Sequence, residues 1–194
     1  MKKLKGYLFF FLLFFVLIAF DQFTKYEARA ALSSGKIIVL IKGALELVLV
    51  KNTGAVWGIL QGKTILLLAI ACIIFALLIY VLIKIPDNKK FMPLRIIVIF
   101  ILSGALGNMI DRFRFKEVTD FIYISLIDFP VFNVADMYIT FSCAVLLILI
   151  IFYYKDEDFA VLSGRSVKNR HGSIKEGDKG MEDKGREEDK DRTD

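Results

Sequence analysis

Residues 65–83 form an unbroken apolar run, and this run constrains the fold more than any other feature of the chain. A helix needs about 20 consecutive apolar residues to cross the roughly 30 Å hydrocarbon core of a bilayer. Three further largely apolar stretches lie at 7–20, 94–110 and 137–154, and the hydrophobic fraction of the chain is 56%. This pattern predicts an α-helical membrane protein with four transmembrane helices.

The first apolar stretch also resembles an export signal, because basic residues precede it and Ala28-Arg29-Ala30 follows it. The small residues lie well beyond the apolar core, however, which is not typical of a cleavage site. We therefore expect a retained helix that continues through residues 21–25 to complete its passage across the bilayer.

Four spans place both termini on one side of the membrane. Lys2, Lys3 and Lys5 precede the first span, and such basic flanks favour the cytoplasmic side. We expect residues 1–154 to form the membrane domain and the charged residues 155–194 to form a cytoplasmic tail. From residue 163 onward this tail has almost no apolar content, which predicts disorder.

With that orientation, the polar motifs all fall at the outer ends of the helices. A small extracytoplasmic β element is expected at about residues 36–62, with a turn at 52–54 and Trp57 at the level of the headgroups. The motifs are Asp-Gln-Phe-Thr-Lys at 21–25, Asn-Thr-Gly-Ala at 52–55, Gly-Asn-Met-Ile-Asp-Arg at 107–112, Val-Thr-Asp-Phe at 118–121 and Phe-Asn-Val-Ala-Asp at 132–136.

Each motif has a structural interpretation as well as a functional one. Asp21 and Lys25 have the spacing of a helical ion pair, and Asn133 with Asp136 fits a helix N-cap. Asp120, taken alone, fits a hydrogen-bonded loop acid. At the end of the third helix, where Asn108 stands one turn earlier, Arg112 either snorkels to the interface or positions substrate. Four other acids are expected to be structural or solvated: Asp111, Glu46, Glu117 and Asp128.

Taken together, Asp120 and Asp136 have a chemical interpretation. Two carboxylates that lie close together in a medium of low dielectric constant share a proton, since both cannot ionise. One can accept a proton from water while the other donates a proton to a carbonyl oxygen or a leaving amine. The residues alone thus allow an intramembrane aspartyl hydrolase.

Several other chemistries are disfavoured. The only histidine, His171, lies in the tail, which argues against Ser-His-Asp, Cys-His and zinc-protease sites. Cys72 and Cys143 form no CxxC motif, and we expect no metal, no cofactor and no nucleic-acid partner. Two alternatives stay open: a Ser/Lys hydrolase that uses Lys25, and a small transporter or assembly factor whose aspartates are structural or relay protons.

The five motifs, in this order, resemble those of the lipoprotein signal peptidases, also called signal peptidase II, over about residues 15–150. The resemblance implies an aspartyl endopeptidase of the bacterial cytoplasmic (inner) membrane with its active site at the outer face. Its substrates would be diacylglyceryl-modified prolipoproteins, cleaved just before the lipid-modified cysteine, and we expect it to act as a monomer among membrane lipids. The implied roles are catalysis by Asp120 and Asp136, substrate binding by Asn52, Asn108, Arg112 and Asn133, and structural support by Asp21, Lys25, Gly54, Gly104 and Gly107.

The chain departs from the family pattern at two places. Ser103 stands where the family usually has a second glycine, and Val56-Trp57 stand in place of Ala-Phe. Both changes keep small size or aromatic character, so we expect them to affect the fit of the substrate and not the activity itself.

Overall fold

A computed structural model describes residues 2–54 and 59–162 of the chain. Within these residues, four helices are long and apolar enough to cross a membrane, which confirms the predicted fold class. The elements, in chain order, are α1 (Lys2–Leu32), β1 (Ile38–Ile41), β2 (Leu45–Asn52), α2 (Thr64–Lys84), α3 (Met92–Phe115), β3 (Val118–Tyr123), a 3₁₀ turn (Ser125–Ile127), α4 (Val134–Phe152) and α5 (Asp156–Leu162).

Helix α1 continues about two turns beyond Lys25, where the sequence suggested that it would end. Its last turns are stabilised by packing, because Ala28 and Leu32 are buried against Phe121 of strand β3. This apolar contact stabilises the part of α1 that extends beyond its apolar stretch. The outer part of α1 therefore supports the sheet.

The β element is a three-stranded antiparallel sheet in the order β1-β2-β3. The sequence predicted a small β element within residues 36–62, where β1 and β2 lie, but not that β3 would complete the sheet from a position between α3 and α4. In the pairing of β2 with β3, Val50 lies opposite Asp120 and Asn52 lies opposite Val118. The sheet thus joins the segment after α1 to the segment that carries Asp120.

Helix α3 is the most buried of the long helices and packs closely against α4. A Cβ atom at position 104 would lie 2.5 Å from the carbonyl oxygen of Ala135 and 2.9 Å from Cγ1 of Ile139. A Cβ atom at position 107 would overlap the carboxylate of Asp21. Glycine at these two positions therefore permits the close approach of α1, α3 and α4, as small residues do in membrane helix packing.

Residues 155–194 form a second unit, of which the structure describes only the first part. Asp156–Leu162 is a short helix, α5, with acidic residues in its first turn. The tail therefore begins with a helix. Acidic side chains at that end interact favourably with the helix dipole. The disorder expected from residue 163 onward and the position expected for Trp57 both fall outside the described residues.

We expect Gly104→Ala to lower the free energy of unfolding by about 1–3 kcal/mol, because the new methyl group meets backbone of α4 that cannot rotate away. Unfolding in detergent, followed by heat or denaturant, measures this change. Gly6→Ala is the matched control, since no atom of the described residues lies within 4 Å of a Cβ there. It should be neutral or stabilising by up to about 1 kcal/mol. Equal effects of the two substitutions would contradict the packing argument.

Candidate active site

Asp120 lies in strand β3 with its side chain almost completely buried. Two amide groups donate hydrogen bonds to its carboxylate: Asn52 Nδ2 to Oδ2 at 2.8 Å and Asn133 Nδ2 to Oδ1 at 2.6 Å. Asn52 comes from the end of β2 and Asn133 from the start of α4, so three segments meet at this carboxylate. Its position depends on tertiary structure and not on any local motif.

Asp136 lies in the first turn of α4 and is half-buried. Its Oδ1 accepts a hydrogen bond from Asn108 Nδ2 at 2.8 Å, and its Oδ2 accepts one from the backbone N–H of Asn133 at 3.2 Å. In return, the Asp136 N–H donates to Asn133 Oδ1 at 3.1 Å, which completes a capping box. The capping interpretation of the sequence is thus confirmed, and the same residues face the site.

Asn133 links the two aspartates directly. Its side chain is fully buried, donates to Asp120 and to Asn108 Oδ1, and accepts from the backbone of Asp136. The preceding residue, Phe132, pairs with Ile122 through hydrogen bonds of 2.8 and 3.0 Å. This pairing returns the chain alongside β3 and brings the amino-terminal end of α4 to Asp120.

The pKa of Asp120 is raised from an ordinary value of 3.8 to about 6. Burial is the main cause, and the negative charge of Asp136 adds to it. The hydrogen bonds from Asn52 and Asn133, and the charge of Lys25, act in the opposite direction. Burial dominates because the charged form of a carboxylate loses hydration that two amide donors do not fully replace. A carboxyl with this pKa can hold or release a proton close to neutral pH.

A buried ion network lies directly behind the two aspartates. Lys25 Nζ contacts Asp21 Oδ2 at 3.0 Å and Asp111 Oδ2 at 3.7 Å, and it donates to Asn108 Oδ1 at 2.8 Å. Asp21 also accepts a hydrogen bond from the Ala135 N–H at 2.9 Å. The ion pair expected between Asp21 and Lys25 is therefore present. Its two residues also join α1 to α3, through Asn108 and Asp111, and to α4, through Ala135.

The turn after β2 forms one side of the site. Asn52 Oδ1 accepts from the Gly54 N–H at 2.9 Å, and Arg112 Nη2 donates to the Gly54 carbonyl oxygen at 3.1 Å. Gly54 is buried, and a Cβ atom there would lie 3.0 Å from the Ile59 carbonyl oxygen. Arg112 therefore does more than snorkel, because it ties α3 to the turn that carries Asn52.

All eleven residues singled out from the sequence lie in or beside this cluster, and the structure adds others. Asp111, expected to be a structural or surface charge, is buried and accepts the Thr119 N–H at 2.9 Å. Gln22 donates to Asp21 and Asp111. Glu117, expected to be solvated, is only 18% exposed and pairs with Arg29 at 3.7 Å. The contacts of Gln22 with Asp111 and of Arg29 with Glu117 join residues more than 80 positions apart, so no spacing in the sequence marks them.

The cluster allows hydrolysis by two carboxyl groups. One proton shared between Asp120 and Asp136 supplies both a general base and a general acid at one site. A Ser/Lys mechanism is disfavoured, because the ammonium group of Lys25 is held by Asp21, Asp111 and Asn108.

Comparisons with known proteins identify the family of the chain. A family model described as signal peptidase (SPase) II matches residues 13–152. A lipoprotein signal peptidase of Enterococcus faecalis is 38% identical over 75% of this chain and 86% of its own length. A second, from Clostridium novyi, is 41% identical over 69% of this chain and 91% of its own length.

Two solved structures, both described as bacterial membrane enzymes, have the same fold. One has a TM-score of 0.67 at 34% identity and covers 73% of this chain and 87% of that structure's chain. The other has a TM-score of 0.66 at 33% identity, with coverage of 75% and 94%. From the family match and the identity to these relatives, the chain belongs to the signal peptidase II family of membrane peptidases.

Proposed function

We propose that Asp120 and Asp136 form the catalytic dyad with which this family member removes signal peptides from prolipoproteins. The observation that carries this proposal is the bridge made by Asn133, which binds both residues through its side chain. The enzyme is then an aspartic endopeptidase that cuts the peptide bond just before the lipid-modified cysteine. Membership in a peptidase family does not favour the alternative of a transporter or assembly factor.

The proposed reaction begins with water between the two carboxyl groups. The ionised carboxylate takes a proton from the water as its oxygen attacks the scissile carbonyl carbon, and the protonated carboxyl donates its proton to the carbonyl oxygen. In the second step the C–N bond breaks: the amine leaves with the proton that the base had taken, and a hydroxyl group of the tetrahedral diol returns its proton to the other carboxylate as the C=O bond reforms. The dyad ends with one proton, as it began.

We propose that the amide and guanidinium groups around the dyad position the substrate backbone. Asn52 and Arg112 both bind the turn at Gly54, so this turn forms a firm wall beside Asp120. Asn108 and Asn133 orient the carboxylates of Asp136 and Asp120 toward the substrate. Gly104 and Gly107 support the site by bringing α3 and α4 together.

We further propose that the site lies at the outer face of the bacterial cytoplasmic membrane with both termini in the cytoplasm. The basic residues before α1 support this orientation. The lipid chains of the substrate remain in the hydrocarbon layer, which would hold the scissile bond at the depth of the dyad and replace a free search by an oriented encounter.

Asp120→Asn and Asp136→Asn should each lower kcat by about 10²–10⁴-fold, because each removes one member of the acid–base pair while keeping its size. Cleavage of a lipid-modified prolipoprotein in detergent or lipid measures this, with binding of the same substrate and the folded fraction measured alongside. Asp128→Asn is the control, because Asp128 is exposed and bonded to Tyr123. Retained turnover in either dyad variant would reject the proposed dyad.

The raised pKa of Asp120 predicts how stability depends on pH. A carboxyl whose pKa rises on folding favours the folded state below its ordinary pKa, and this contribution is lost as the pH rises through about 6. Asp120→Asn lacks this loss. The free energy of unfolding of the variant minus that of the wild type should thus increase by about 2 kcal/mol between pH 4 and pH 7. Unfolding in detergent at several pH values measures it, and a difference that stays constant would contradict the burial argument.

We propose that residues 163–194 of the charged tail are dispensable for catalysis. The family match ends at residue 152, which supports this proposal. A chain truncated after residue 162 should cleave prolipoprotein at a rate within about twofold of the full chain, because every residue of the proposed site lies before that point. Loss of turnover in correctly inserted, folded truncated protein would contradict it.

A further inference from the structure

Arg29 makes a cluster of contacts that the proposed mechanism does not use. It lies in the last turn of α1, and its Nε donates to Thr119 Oγ1 at 2.6 Å. Its guanidinium carbon lies 3.8 Å from the centre of the Phe115 ring, and Nη1 lies 3.7 Å from Glu117 Oε1. The stacking and the charge-assisted hydrogen bond together fix the plane of the guanidinium group.

The residues that Arg29 contacts make up the connection from α3 to β3. Phe115 is the last residue of α3, and Thr119 is the second residue of β3. Lys116 between them has a positive φ of 64° and ends the helix. Arg29 therefore holds both ends of a sharp turn against α1.

Thr119 is also the neighbour of Asp120, and this adjacency matters for the site. Successive side chains of a strand point to opposite faces. The Thr119 side chain is held by Arg29 from α1, while Asp120 points to Asn52 and Asn133. The backbone N–H of Thr119 is held in addition by Asp111 of α3 at 2.9 Å. Because a twist of the strand at Thr119 would turn Asp120 as well, the hold on Thr119 fixes the direction of the catalytic side chain.

We infer that Arg29, acting through Thr119, is a positioning residue that aims Asp120 at the scissile bond; this inference rests on the proposed function of Asp120. Arginine suits this position better than lysine, because only a planar guanidinium can stack on Phe115 and donate from Nε at the same time. The arrangement leaves Arg29 Nη2 buried and unpaired among the described residues. An unpaired donor is unfavourable, which indicates that the contacts to Thr119 and Phe115 decide the orientation of the side chain.

The test compares kcat and KM for prolipoprotein cleavage by folded, full-length protein carrying Arg29→Ala, Arg29→Lys, Thr119→Val or Arg29→Ala with Thr119→Val. Thr119→Val keeps the shape of the side chain and removes only the hydroxyl group, so it guards against a variant that fails to fold. Arg114→Ala is the matched control. Arg114 is exposed and lies 5.0 Å from the same Phe115 ring, so its removal takes away a nearby positive charge.

Arg29→Ala and Thr119→Val should each lower kcat about tenfold per folded molecule, with KM within twofold, since a small misplacement of a catalytic group lowers the rate and not the affinity. The double variant should be no worse than either single variant, because both remove the same hydrogen bond. Arg29→Lys should restore at most part of the rate, and Arg114→Ala should match the wild type.

Three results would overturn the inference: an unchanged kcat in folded Arg29→Ala or Thr119→Val, effects that multiply in the double variant, or an equal loss in Arg114→Ala. A purely structural role would lower the folded fraction and leave kcat per folded molecule unchanged. Wild type and Asp120→Asn in the same assay separate the two proposals. If the wild type cleaves and Asp120→Asn does not, a normal Arg29→Ala rejects only the positioning role. If Asp120→Asn retains turnover, or the wild type has none, the proposed function fails and the positioning role fails with it.

Discussion

The amino-terminal end of helix α4 is the point on which the rest of the site depends. The first backbone N–H groups of a helix have no partner within it, and Ala135 is buried away from water that could replace that partner. Here Asp21 accepts the N–H of Ala135 and Asn133 accepts that of Asp136. One of these two residues, Asn133, also donates its Nδ2 to Asp120. Capping of α4 and the position of the proposed catalytic carboxyl thus depend on the same side chain.

The buried charge of Lys25 sets the orientation of the Asn108 side-chain amide. A buried ammonium group needs close partners, and Lys25 has Asp21, Asp111 and Asn108 Oδ1. Because the oxygen of the Asn108 amide faces Lys25, its Nδ2 must face the other way, where it donates to Asp136. The ion network behind the site therefore decides which end of the Asn108 amide faces the carboxylate of Asp136. Asn133 supports the same orientation, because its Nδ2 donates to Asn108 Oδ1 at 3.2 Å.

Much of the fold could be predicted because the bilayer restricts the possibilities. A span of residues 65–83 can cross hydrocarbon only as a helix, and the same holds for the other three spans. The ion pair of Asp21 with Lys25 and the cap of Asn133 on Asp136 are local, so their spacing was enough to predict them. The end of α1 was not predictable in this way. It depends on Phe121, which packs on Ala28 and Leu32 from more than 80 residues away.

The sequence by itself determined four membrane helices, the polar character of one end of the bundle, and the residues that could perform acid–base chemistry there. Only the tertiary structure decided that β3 joins the sheet beside β2, that Asn133 binds both Asp120 and Asp136, and that Arg29 reaches Thr119. The physical reason is the range of the interactions. Hydropathy and helix capping act within a few residues, whereas these contacts join segments that only packing brings together.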